Sequence, residues 1–130
     1  MDAPKPSIKA LLVCDSVLAE IVTGKKSIIG LFDQIVAGSI PCTHSQLGVY
    51  FSTIDAEGAY TFRLDLVQLN TDQIIARGEM PVVAKDRFQI VDGAIILQGL
   101  TFPATGKYEF RLYANGIFLE SKELTVLLAQ

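Results

Sequence analysis

At 130 residues, half of them apolar, with a net charge of −3 and a mean hydropathy of +0.39, the chain is long enough for one ordinary core. It holds no run approaching the ~20 apolar residues of a membrane helix. The charge balance, with no basic cluster beyond Lys25 and Lys26, excludes an electrostatic footprint for nucleic acid or anionic lipid.

The opening residues, Met1 to Pro6, lack the basic and apolar pattern of a secretory signal. The expected compartment is therefore the cytoplasm, and Cys14 and Cys42 are expected to stay reduced and unpaired. Positions 1–7, with Pro4, Pro6 and Ser7, predict a loose arm ahead of a single domain over 8–130. The first predicted strand is Ile8 to Cys14. After it, Val17, Leu18, Ile21 and Val22 match a helical stripe, but the segment is short and lacks a capping box after Ser16. Thr23, Gly24, Lys25 and Lys26 instead predict a turn into a strand over Ser27 to Ala37.

Further strands are expected around Leu47 to Ile54 and over Tyr60 to Val67, joined by the turn Asp55 to Gly58 and read as antiparallel neighbours. In the second of these, Tyr60, Phe62, Leu64 and Leu66 alternate with Thr61, Arg63, Asp65 and Val67, the period of a half-buried strand. A turn at Asn70 to Asp72 leads into Ile74 to Ala84, which Pro81 demotes to an edge or broken strand. Phe88 to Leu97 is the next strand. Lys107 to Tyr113 repeats the alternation, with Tyr108, Phe110 and Leu112 on the apolar side. Asn115 and Gly116 then give the two-residue signal of a type I′ hairpin into the last strand. There the spacing from Leu119 to Leu124, Val126 and Leu128 calls for a bulge near Ser121 to Glu123. About eight strands at this spacing predict an all-β fold, an immunoglobulin-like antiparallel β-sandwich, with Tyr60, Phe62, Leu64, Tyr108, Phe110 and Leu112 at its centre.

The most specific local pattern is Phe102 to Phe110, in which a turn containing Pro103 and Gly106 delivers Tyr108 to the start of an alternating strand. It resembles the tyrosine corner of immunoglobulin-like domains, where the hydroxyl bonds back to nearby backbone. Across nearly the whole chain the order of motifs resembles a family of small bacterial proteins of unknown function. The matching residues are Ala10 to Asp15, Gly30 to Asp33, Pro41 with His44, and Phe102, Pro103, Gly106, Tyr108, Phe110 to Tyr113, Asn115 and Gly116. That resemblance implies a stand-alone sandwich and supplies no activity.

Three polar residues inside or beside the matched segments, Asp15, Asp33 and His44, are the candidates for a shared site. The plainer role of such aspartates is to cap turns, and that of a lone histidine after Pro41 is a loop residue. Cys42 and His44 fall two apart, too few ligands for zinc and, on one face of a strand at about 7 Å, too far apart for an activated thiol. No phosphate loop or paired-carboxylate signature is present, and the absence of Trp, with only Tyr50, Tyr113 and Phe118 as candidate exposed rings, disfavours a sugar platform. No cofactor and no catalytic residue are expected.

The leading functional expectation is a non-catalytic interaction or structural module that meets another protein or itself through sheet edges and apolar patches. The rival is a ligand binder or enzyme with a loop site around Asp15, Asp33 and His44. Self-association is expected because Ser27 to Ala37 and Leu124 to Leu128 are apolar on both alternating faces, so a second copy is the available cover.

Overall fold

In a computed structural model describing residues 3–130, the alternating segments form nine strands and, among the described residues, no helix. They are β1 (Ser7–Ala19), β2 (Lys26–Leu31), β3 (Gln34–Ala37), β4 (Cys42–Ile54), β5 (Gly58–Gln68), β6 (Gln73–Ala84), β7 (Val91–Phe102), β8 (Gly106–Ala114) and β9 (Ile117–Leu128). A four-stranded sheet of order β2-β1-β4-β7 faces a five-stranded sheet of order β3-β9-β8-β5-β6. Met1 and Asp2, the first two residues of the expected arm, lie outside the described residues. The rest of the arm is held: Pro6 is buried, and the Pro4 carbonyl accepts the Tyr60 hydroxyl at 2.6 Å.

The period-two register sets the core. Phe62, Leu64, Phe110 and Leu112 are fully buried between the sheets, while Arg63 and Glu109 keep to the wetter face. The two sheets meet ring to ring at Phe51 and Phe62, 4.8 Å apart. Asp65 departs from the simple alternation: it lies on the outer face yet is only 2% exposed. Its carboxylate accepts two bonds from Arg77, 2.7 and 3.1 Å, and sits 3.3 Å from Arg63 Nε. The Arg63 guanidinium in turn lies 4.2 Å over the Tyr113 ring. Cation and carboxylate thus roof one another on the surface of the five-stranded sheet.

Several expected boundaries change. The single strand expected over Ser27 to Ala37 is two strands in different sheets: β2 pairs antiparallel with β1, the chain crosses at Phe32 and Asp33, and β3 pairs parallel with β9. The ninth strand has this cause, whereas the second apolar face stays largely open, with Ile29, Leu31 and Val36 at 45%, 60% and 60% exposure. Asp55 to Glu57 does not join neighbours in one sheet; it carries the chain from β4 in one sheet to β5 in the other. The strand expected from Phe88 begins at Val91. The bulge in β9 falls at Leu119, between the pairs Leu112 with Glu120 and Tyr113 with Phe118, two residues ahead of the expected place. The hairpin at Asn115 and Gly116 forms with both residues at positive φ, 49° and 81°. Pro81 lies in β6, an edge strand.

The segment with the helical stripe continues β1 and folds back over its own sheet. Asp92 lies in the row of Ser52 and Ala10, whereas Lys26 pairs with Ala19, nine positions further along β1. A straight strand rising about 3.3 Å per residue would carry Lys26 roughly 30 Å past Asp92. Yet Lys26 Nζ is 2.7 Å from Asp92 Oδ1, and the Tyr50 hydroxyl donates to Asp92 Oδ2 at 2.8 Å. The fold-back falls where pairing of β1 with β4 ends, at Cys14. Opposite it is Gly30, at a φ of 71°, where any Cβ would run into the Asp15 side chain. The β1–β2 hairpin therefore covers the outer face of the four-stranded sheet, burying Cys14 and Gly48 beneath Val17. Part of the second apolar face is thus covered by the chain itself.

Candidate functional site

Asp15, Asp33 and His44 do not converge through any hydrogen bond or ion pair among the described residues. Asp15 is exposed in β1 at the fold-back beside Gly30. Asp33 is exposed at the crossing between β2 and β3, where its carbonyl accepts the Thr125 N–H at 3.0 Å and ties the crossing to β9. His44 is half-buried in β4, its ring 5.8 Å from that of Phe32. Phe32, adjacent in sequence to Asp33 and tilted at 43° against the His44 ring, is what brings those two neighbourhoods together. Among the described residues no group of three metal-ligating side chains occurs.

Around Asp33 the sheet crossing opens a groove of about 230 Å³ lined by Leu12, Val13, Leu31, Phe32, Asp33 and Lys122. The crossing makes it: the chain leaves the edge of one sheet and joins the edge of the other, so the flank between β1 and β9 stays open there. The floor is aliphatic and aromatic, while Asp33 and Lys122 give the rim one charge of each sign. Next to it lies a more polar recess that shares Asp33 and Lys122 and adds Gln34, Ser121, Glu123 and Thr125.

A second feature lies in the loop after β6, where alternation carries no signal. The loop from Lys85 to Ile90 is built by its own side chains: Asp86 Oδ1 accepts the N–H groups of Phe88 and Gln89 at 2.9 and 3.1 Å. Gln89 Oε1 accepts the Lys85 N–H at 2.9 Å. That Asx turn holds Phe88 outward at 96% exposure, and Val83 in β6 and Ile90 in the loop are exposed at 71% and 67%. Asp86, two before Phe88 and three before Gln89, is the local signal of this turn. The tip of the β1–β2 hairpin exposes Ile21 and Val22 as well.

Two other polar arrangements are structural. The Tyr108 hydroxyl donates to the Ala104 carbonyl at 2.6 Å, closing the Pro103 to Gly106 turn onto β8. Tyr60 does the same for the β4–β5 connection, accepting the Glu57 N–H at 2.9 Å. Burial pushes the Tyr108 hydroxyl pKa up, and burial followed by the Asp92 bond does so for Tyr50. Cys14 and Cys42 are both unpaired. Burial, with nearby Asp15 adding to it, raises the Cys14 thiol.

Two stacked antiparallel sheets, with one strand pair closed in parallel and an open flank at the crossing, define a two-sheet all-β protein with no recognisable catalytic constellation among its described residues. The profile of a family of unknown function (DUF6941) matches residues 9–127, and the chain belongs to that family. No curated protein matches it. Among solved structures, a β-glucosidase from Listeria innocua in complex with isofagomine is similar at a TM-score of 0.47 and 10% identity, over 95% of this chain and 16% of the enzyme. A β-glucosidase from Listeria innocua in complex with glucose gives 0.44 and 10% over 91% and 16%. The chain therefore spans 16% of the length of those enzymes.

Proposed function

We propose that the protein is a non-catalytic, immunoglobulin-like interaction module that assembles with copies of itself in the cytoplasm. The observation that carries this reading is Phe88, 96% exposed on a loop whose backbone is already tied down by Asp86 and Gln89. Ordering such a loop on binding costs little entropy, so the apolar area it buries counts nearly in full toward association. The immunoglobulin-like assignment draws support from the parallel pairing of β3 with β9. It draws further support from Tyr108 bonding back to Ala104 beside Pro103 and Gly106, in the manner of a tyrosine corner. Two unpaired thiols fit a reducing compartment.

A ligand-binding reading rests on Asp33 alone of the three candidate residues, since Asp33 lines the groove and Asp15 and His44 do not. Half of the groove's lining is aliphatic, and its two charged side chains are of opposite sign. Light scattering on the purified chain at micromolar concentration tests the leading reading: the expected mass is a multiple of 14.1 kDa. A mass of one chain at every concentration overturns self-assembly.

A further inference from the structure

We infer that assembly is head to tail, with Phe88 of one copy seated in the groove of Leu12, Leu31, Phe32 and Asp33 on the next. This rests on the self-assembly proposed above and gives it a mode. Three observations carry it. The first is size: an enclosed apolar cavity of about 150 Å³ accepts a benzene ring, and this solvent-open groove, lined by Leu12, Val13, Leu31, Phe32, Asp33 and Lys122, offers about 230 Å³. The second is charge. Arg87 immediately precedes Phe88, and Asp33 stands on the groove's rim; Asp86 precedes Arg87, and Lys122 completes the same rim. An entering Phe88 thus brings a cation and an anion to a rim that carries one of each.

The third is position. Phe88 lies between β6 and β7, at the end of the sandwich where Thr53 pairs with Val91 and Gly58 with Ala84. The groove lies on the opposite flank, where β1 and the crossing to β3 approach β9. Knob and groove sit on different edges of the two sheets, so neither can fill the other within one chain. A contact between unlike surfaces repeats from copy to copy and closes into a ring or grows as a filament.

Phe88→Ala removes the knob and Leu31→Arg obstructs the groove with a cation that repels Arg87; both side chains are surface residues, at 96% and 60% exposure. Each variant alone is expected to scatter as one chain, with a melting temperature near that of the parent. Mixed in equal amounts they are expected to give a mass of two chains and no more, because one intact knob and one intact groove remain. Should Leu31→Arg disturb folding, Asp33→Lys leaves the apolar floor in place. It is expected to weaken assembly at least tenfold in concentration, and Arg87→Asp in the same chain is expected to restore it. An oligomeric parent whose mass neither substitution changes overturns this docking while leaving self-assembly standing. Variants that remain single chains when mixed overturn it as well, and a monomeric parent removes both proposals together.

Discussion

Replacing Gly78 by Ala should destabilise the protein, although the same exchange in an open strand would stabilise it. Gly78 sits in β6, an edge strand that leans on β7 of the other sheet, and a Cβ there would lie 2.6 Å from Ile95 Cγ2 and 3.2 Å from Leu97 Cδ2. Ile95 is 5% exposed, and its branch methyl is held close to its own backbone. The collision cannot be relieved by swinging a flexible end away. Overpacking by a methyl of this kind costs about 1–3 kcal/mol, while the lost freedom of the unfolded chain returns about 0.4–1 kcal/mol. The expected net loss is roughly 1–2 kcal/mol, or a fall of about 3–7 °C in melting temperature for a chain of this size. Thermal and urea melts of Gly78→Ala, made in the parent and in an Ile95→Ala background, supply the measurement. In the Ile95→Ala background, which lacks Cγ2, the same exchange should cost less than it does in the parent. A Gly78→Ala protein that melts higher than the parent would refute the close approach of β6 and β7.

Two further outcomes follow from the hairpin and the buried phenols. Asp92→Asn weakens the tie to Lys26 and Tyr50, so Cys14, fully buried with its thiol pKa raised, should react with iodoacetamide several-fold faster than in the parent, as read by mass spectrometry; equal rates would mean that the hairpin is held without Asp92. Tyr50 and Tyr108 have folded-state pKa values raised above the unfolded value near 10, so the unfolded chain releases protons first as pH rises. Their stabilising contribution is complete below about pH 10 and is lost on passing upward through the folded values. Urea melts from pH 8 to 11 should show this fall, and Tyr50→Phe should make it shallower.

Where a side chain has one face to choose, its position was legible. Tyr60, Phe62, Leu64, Tyr108, Phe110 and Leu112 all point inward because alternation leaves a two-state decision, and burial of large rings settles it. The Asn115 and Gly116 hairpin was legible for a similar reason, since few residues tolerate two positive φ angles in succession.

What escaped was decided by distant partners. Nothing local in Ser27 to Ala37 marks Phe32 as the point where the chain changes sheets; the partner that draws β3 away is β9, some ninety residues later. The fold-back at Asp15 and Gly30 has the same character, because the ion pair that pins the hairpin joins Lys26 to Asp92. Of the candidate site, the neighbourhood of Asp33 was visible as a polar residue breaking an apolar run. Phe88, assigned to a strand, was hidden because an exposed aromatic residue and a buried one look alike in sequence until the Asx turn around it is recognised.

The parallel pairing of β3 with β9 also orders events during synthesis. β1 with β2, β5 with β6 and β8 with β9 are hairpins of neighbours and can close as soon as each emerges. Gln34 must wait for Thr125, a closure across some ninety residues whose entropy is met only once β9 has been made. Until then the short strand from Gln34 to Ala37 is an unsatisfied edge with Ile35 and Ala37 uncovered, and a nascent chain stalled before β9 would present it to whatever strand lies nearby. Slow translation between β3 and β9 therefore lengthens the time in which that edge is open to mispairing.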